Sequence, residues 1–81
     1  MELNETIEMM QSADYKERFK AEYYQLKIRY EKLETMLVSY NDGTLDFTPS
    51  CSYGILSEQW NIMGAYLHIL KARADIENID L

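Results

Sequence analysis

The stretch "FKAEYYQLKIRYEKLETMLVSY", Phe19 to Tyr40, decides the fold. Its apolar side chains recur at alternating intervals of four and three residues, which places them along one side of an α-helix. The members of this seam are Phe19, Tyr23, Leu26, Tyr30, Leu33, Leu37 and Tyr40. A pattern sustained over this length predicts a long helix that packs lengthwise against another helix.

A second seam of the same kind follows after a short interruption. Its members, separated by alternating intervals of three and four residues, are Tyr53, Leu56, Trp60, Met63, Leu67, Leu70 and Ala74. Two seams of matching length predict an all-α fold, an antiparallel and coiled-coil-like hairpin of two helices. We expect one domain over residues 1–81, with a short helix at about 3–11, long helices at about 14–40 and 51–77, and a loop at about 41–50.

Local signals predict where the long helices begin and end. Asp14, with Glu17 three residues later, is typical of a helix start, and Gly43 after an Asn-Asp pair is typical of a helix end. For the second long helix, Thr48 or Ser50 is the expected first residue, with Pro49 tolerated only in the first turn.

The second long helix carries another apolar stripe beside its seam. The stripe consists of Ile55, Ile62, Tyr66, Ile69 and Ile76. On a single hairpin these side chains would face water, and a large exposed apolar patch is typical of an interface. A chain of 81 residues also buries only a modest core by itself. We therefore expect homo-oligomers in which hairpins associate into a helical bundle through this stripe.

The charges are distributed unevenly along the chain. The formal net charge is −6, yet six of the eight basic residues lie between positions 16 and 32. A polyanion would meet repulsion from the acidic remainder, so nucleic-acid polymers and anionic membranes are not expected partners. A small anion that docks beside the local cations is compatible with this distribution.

The residues expected in an active site or metal site are missing. One cysteine (Cys51), one histidine (His68) and three scattered glycines provide neither a nucleophile–base pair nor a phosphate-binding loop. We predict no enzymatic activity, no metal and no cofactor. The chain also has no apolar run long enough for a membrane span and no signal-peptide pattern. We expect a cytoplasmic protein.

Four side chains are candidates for ligand binding. Tyr15 and Tyr24 are assigned to positions outside the seam, and Lys27 follows Tyr24 by three residues. Arg73 lies between two isoleucines of the apolar stripe, where a guanidinium requires a carboxylate across an interface or a bound anion. Tyrosine offers a stacking surface and the cations offer phosphate contacts. These are the elements that a nucleotide site needs, but from spacing alone a protein contact is the default interpretation.

The same residues carry a resemblance to a known family. The stretches "YKERFKAEYYQLKIRYEKLETML" and "EQWNIMGAYLHILKARADIENIDL" resemble small phage and prophage proteins with the helical hairpin domain of anti-CBASS and anti-Thoeris sponges. The matching features are an early tyrosine, an "LK…EKL" stretch and a "Q…M…L…L…RA" stretch. The resemblance covers roughly residues 14–81.

This resemblance implies a specific function. Such sponges assemble from helical hairpins, commonly as hexamers. They bind cyclic oligonucleotides or cyclic ADP-ribose isomers without hydrolysis and so deprive a bacterial immune effector of its signal. The resemblance matches Tyr15 and Lys27 to the residues that grip a cyclic dinucleotide, across a gap a few residues shorter, and Arg73 to a second ligand site at a subunit junction. It also implies a location in the cytoplasm of an infected bacterium. The alternative is a phage inhibitor or adaptor whose apolar stripe binds a host or phage protein.

Overall fold

A computed structural model describes all residues, 1–81, and shows an all-α chain, as the seams predicted. A 3₁₀ turn, Leu3–Thr6, leads into a short helix α1, Ile7–Met10. The two long helices are α2, Tyr15–Asp42, and α3, Tyr53–Glu77. They pack against each other as a hairpin with overall extents of 43 × 24 × 16 Å. The prediction of an antiparallel helical hairpin is confirmed, whereas its association into a bundle stays a prediction.

Helix α2 begins and ends at residues with clear physical roles. The Asp14 carboxylate accepts a hydrogen bond from the Lys16 backbone N–H at 2.9 Å, which caps the first turn. Gly43 adopts a left-handed conformation (φ 74°) and its N–H bonds back to the last turn. The sequence predicted that Glu17 would complete a capping box with Asp14, but the Glu17 carboxylate pairs with Lys20 at 3.2 Å instead.

Helix α3 begins later than the sequence suggested. The prediction of a start at Thr48 or Ser50 is wrong, because the Ser52 hydroxyl caps the helix by accepting a hydrogen bond from Ile55 N–H at 3.2 Å. Pro49 therefore lies in the loop and not in the first turn. At the other end, Asn78 adopts a left-handed conformation (φ 57°) that turns the chain back.

The core follows the two predicted seams. Its buried members are Phe19, Tyr23, Leu67, Leu70, Ala74 and Ile79. Nearer the loop, the rings of Tyr30 and Trp60 stack with centroids 5.3 Å apart and an interplanar angle of 10°. Ile79 was not assigned to the core from the sequence, and it reaches the core because the turn at Asn78 folds the last residues over the open end of the hairpin.

The segment before α2 packs on the side of α2 rather than on α3. The Thr6 side chain is almost fully buried there, and its hydroxyl accepts a hydrogen bond from the Gln25 amide at 2.9 Å. Ala21 of α2 is also buried. Helix α3 thus has a single neighbour within the chain, which is α2. No helix is long and apolar enough to cross a membrane.

Candidate ligand-binding site

Three side chains form a basic face on α2, defined here as Lys20, Tyr24 and Lys27. Intervals of four and three residues place them on one side of the helix. Lys20 is paired with Glu17, whereas the exposed Lys27 takes part in no ion pair. Its ammonium group is therefore available to an incoming anion without the loss of an existing partner.

The Tyr24 ring gives this face a fixed aromatic surface. It is half-buried and packs edge-on against Tyr23, with centroids 5.2 Å apart and planes at 78°. Tyr23 itself belongs to the buried core, so its contact restricts where the Tyr24 ring lies. A ring held in this way stacks on a planar ligand at little cost in conformational entropy.

Arg73 lies at the open end of the hairpin and already has a carboxylate partner. Its Nε donates a hydrogen bond to Glu77 Oε2 at 2.9 Å, and its guanidinium lies 4.9 Å from the centroid of the Phe19 ring. The hydrogen bond to Glu77, opposed by desolvation and aided by the charges of Glu77, Glu22 and Tyr15, raises the pKa of Arg73. The sequence predicted that Arg73 would meet a carboxylate across an interface or a bound anion. Its carboxylate partner in this structure is instead Glu77, one turn further along the same helix.

Tyr15 lies near Arg73 and not near Lys27. Its side chain is close enough to Arg73 to influence the guanidinium, and it is 49% exposed. It precedes Phe19 by four residues, so it is on the side of α2 that faces α3, contrary to the assignment outside the seam. Twelve residues separate Tyr15 from Lys27, a rise of about 18 Å along the helix.

The four candidate residues therefore form two groups in a single chain. Glu22, which acts on Arg73 and accepts a hydrogen bond from Tyr66, is five residues before Lys27, or about 140° around α2. Tyr15 and Arg73 lie on one side of the hairpin, whereas Tyr24 and Lys27 lie on the other.

The apolar stripe of α3 is exposed in the single chain. We name it the isoleucine face: Ile55, Ile62, Tyr66, Ile69 and Ile76. The four isoleucines are 60%, 63%, 56% and 79% exposed, respectively. Tyr66 is 42% exposed and its hydroxyl donates to the Glu22 carboxylate. The role of this face as an interface between copies stays a prediction.

Sequence reasoning missed one groove, near the loop. It has a volume of about 250 Å³ and is lined by Glu34, Leu37, Val38, Asn41, Asp42, Tyr53, Ser57 and Trp60. Its only charged residues are acidic, so it does not suit an anionic ligand. The Trp60 indole N–H is buried without a hydrogen-bond partner. No signal in the sequence indicated this groove, because its wall combines residues from both long helices.

Comparison with known proteins identifies the family. The family model described as Sequestin matches residues 13–76, and the chain belongs to the Sequestin family. The family's name denotes sequestration, which agrees with the sponge activity that the sequence resemblance implies. No curated protein and no solved structure matches the chain.

Proposed function

We propose that this protein is a phage-encoded anti-defence protein that binds and sequesters cyclic nucleotide immune signals without hydrolysing them. The observation that carries the proposal is the unpaired ammonium of Lys27 beside the ring of Tyr24, in a member of the Sequestin family. The resemblance to anti-CBASS and anti-Thoeris sponges supplies the class of ligand, a cyclic oligonucleotide or a cyclic ADP-ribose isomer.

Each contact has a defined physical role. The Tyr24 ring stacks on a base, which contributes about 1–3 kcal/mol per base. Lys27 makes a charge-assisted hydrogen bond to phosphate, of a kind about twice as strong as a neutral one. Tyr15 and Arg73 provide a second contact region on the other side of the hairpin, where the Arg73 guanidinium is a permanent cation.

Binding without turnover fits the positions of the reactive side chains. Cys51 is an exposed free cysteine in the loop, and His68 is an exposed residue of α3. His68 lies fifteen residues after the first residue of α3, a rise of about 22 Å, so the chain does not bring the two together as a nucleophile and base. A sponge retains its ligand intact, and we propose that this protein has no catalytic activity.

Titration calorimetry tests the proposal with a panel of cyclic dinucleotides, cyclic trinucleotides and cyclic ADP-ribose isomers. We expect at least one member to bind and to be recovered intact by chromatography after denaturation of the protein. Binding should weaken as salt is raised, because the exposed Lys27 contact is screened. Absence of binding heat with every member at high protein concentration contradicts the proposal.

A matched pair of variants locates the site. Lys27→Ala should weaken binding at least tenfold, whereas Lys32→Ala should leave it within twofold. Both lysines are exposed, neither is in an ion pair, and both substitutions change the net charge equally. Lys32 lines a groove with Met1 and Glu2 on another side of α2. Equal losses in the two variants would indicate a general charge effect and no site at Lys27.

A second function is favoured by the isoleucine face. Four exposed isoleucines on one side of a helix suit a phage inhibitor or adaptor that binds a host or phage protein. A stoichiometric partner, recovered by affinity purification from host lysate and lost with Ile69→Lys but not with Lys27→Ala, would support this alternative.

A further inference from the structure

The groove near the loop, which we name the loop groove, has a carboxylate at the beginning and at the end of its α2 wall. This wall starts at Glu34 and finishes at Asp42, and the residues between them that line the groove are Leu37, Val38 and Asn41. Eight residues separate the two carboxylates, a rise of about 12 Å along the helix. The α3 wall consists of Tyr53, Ser57 and Trp60. The loop groove is therefore acidic at two separated points and largely apolar and aromatic between them.

Neither carboxylate of the loop groove has a partner within the chain. The two ion pairs of the chain, Lys20 with Glu17 and Arg73 with Glu77, lie elsewhere. Trp60 lines the groove, but its buried indole N–H donates to neither carboxylate, because it has no hydrogen-bond partner. Both carboxylates belong to exposed residues. A cation can therefore approach them without displacing an existing partner.

The charge of the surrounding chain also favours a cation. Residues 33–63, which include the loop, contain four acidic residues and no lysine or arginine. A surface of one sign raises the local concentration of ligands of the opposite sign. A metal ion is not the cation that this groove suits, because no three potential metal ligands come together in the chain. The apolar walls instead favour an organic cation.

We propose that the loop groove binds a linear aliphatic polyamine, in which methylene groups connect separated ammonium groups. Glu34 and Asp42 attract the ammonium groups, and Leu37 and Val38 contact the methylene groups. The aromatic rings of the α3 wall hold a cation through their faces, which contributes about 0.5–1 kcal/mol at an exposed site. Each part of the ligand thus meets a side chain of matching chemistry.

The size of the loop groove agrees with a thin ligand. Its volume is about 250 Å³. Pockets for drug-sized ligands have volumes of about 300–1,000 Å³, so this groove suits a chain-like molecule better than a nucleotide. Lys27 precedes Glu34 by seven residues and does not line the groove. The polyamine site is therefore separate from the basic face, and it does not rest on the proposed function.

The separation of the two carboxylates favours a long amine over a short one. Spermidine, a triamine, is long enough to bring one ammonium group towards Glu34 and another towards Asp42. Putrescine is a shorter diamine, and butylamine has the same four carbons with a single ammonium group. Mg²⁺ has the charge of putrescine and no methylene groups. We expect the affinity to fall from spermidine to putrescine, and further to butylamine and Mg²⁺.

The fluorescence of Trp60 measures binding directly, because the only tryptophan of the chain lines the groove. Titration of the full chain at low salt should show a saturable change with spermidine, with calorimetry giving one spermidine per chain. Putrescine should bind at least threefold more weakly. Equal responses to putrescine and Mg²⁺ would indicate general counterion binding and overturn the proposal. Tighter binding of the peptide acetyl-Gly-Arg-Gly-amide than of spermidine would assign the groove to a basic side chain of a protein and also overturn it.

Matched variants locate the bound amine. Glu34→Gln and Asp42→Asn should each weaken spermidine binding by about threefold to fivefold, the effect of losing one exposed ion pair. Glu58→Gln is the control and should change binding less than twofold. Glu58 is exposed, takes part in no ion pair and does not line the groove, and its substitution changes the net charge equally. Circular dichroism should show the same helix content in all three variants. Equal losses in all three would overturn the proposal.

A test of Lys27→Ala separates this site from the proposed nucleotide site. The variant should bind spermidine with the affinity of the wild-type protein, because Lys27 does not line the loop groove. Loss of spermidine binding in this variant would overturn the proposed position of the site. A wild-type protein that binds a cyclic nucleotide but not spermidine would overturn the polyamine site and leave the proposed function intact.

Discussion

The Tyr66 hydroxyl donates a hydrogen bond to the Glu22 carboxylate, and this is the one side-chain to side-chain hydrogen bond that joins α2 to α3. The other contacts between the long helices are the packing of apolar and aromatic side chains and the Arg73 guanidinium over the Phe19 ring. The bond lies at the edge of the isoleucine face, close to Arg73, whose pKa the Glu22 charge helps to raise. The hydrogen bond therefore joins the contact between the two long helices to the isoleucine face.

We expect Tyr66→Phe to lower the free energy of unfolding by no more than about 1 kcal/mol, because both partners are exposed and regain water when the bond is lost. Urea unfolding followed by circular dichroism measures this change. Tyr53→Phe is the control, since Tyr53 is similarly exposed and its hydroxyl makes no hydrogen bond. A loss of several kcal/mol for Tyr66→Phe would show that the bond has a larger structural role.

The two sides of α3 should respond differently to truncation. Leu70, which is 1% exposed, belongs to the core, and Leu70→Ala should cost about 2–5 kcal/mol of unfolding free energy. Ile62→Ala removes a 63% exposed side chain and should cost less than about 0.5 kcal/mol in dilute solution. The cost of Ile62→Ala should rise with protein concentration as copies associate. A large effect of Ile62→Ala at high dilution would contradict the exposed position of this side chain.

Gly64 leaves room for the Tyr30 ring. A methyl group at position 64 would lie 3.3 Å from the nearest Tyr30 ring carbon, and Tyr30 in turn stacks on Trp60. We expect Gly64→Val to destabilise the fold by about 1–3 kcal/mol and to change the fluorescence of Trp60, the only tryptophan. Gly54→Val, where a methyl group would meet only the Ser52 hydroxyl at 4.0 Å, should change neither.

Gly43 ends α2 in a left-handed conformation that side chains disfavour. Gly43→Ala should therefore cost about 1 kcal/mol of unfolding free energy. Gly43→Asn should cost less, because asparagine tolerates this conformation. Nothing lies within 4 Å of the position, so backbone strain is the only expected cause. Equal losses for the two variants in thermal unfolding would point to another cause.

Heptad spacing predicted the core because this spacing can be recognised in each helix separately. Phe19, Tyr23, Leu67 and Leu70 are buried as their seams required. Hydroxyl residues occupy alternate positions before α3, at Thr48, Ser50 and Ser52, and local pattern does not show that the Ser52 oxygen is the one that reaches the backbone N–H of Ile55. Thr6 is buried only because the first residues fold back on α2, which is a tertiary contact without a signal in sequence spacing.

The candidate site was predictable from the sequence only where its residues are neighbours on one helix. Tyr24 and Lys27 share a side of α2 because three residues separate them, and that relationship is local. The proximity of Tyr15 to Arg73 depends on the register between α2 and α3, which two separate seams do not determine. The acidic groove near Trp60 depends on the same register and was missed for that reason.

The two apolar sides of α3 have an evolutionary consequence. A mutation on the side that packs against α2 is constrained by the hairpin, and a mutation on the isoleucine face is constrained if copies associate there, as the sequence predicts. Only the residues between these two sides of α3 can change without affecting either contact, whereas most of the outward surface of α2 is not constrained in this way. Lineages of this protein that change their ligand should therefore record most of the change in α2 and at Arg73, while the rest of α3 keeps its composition.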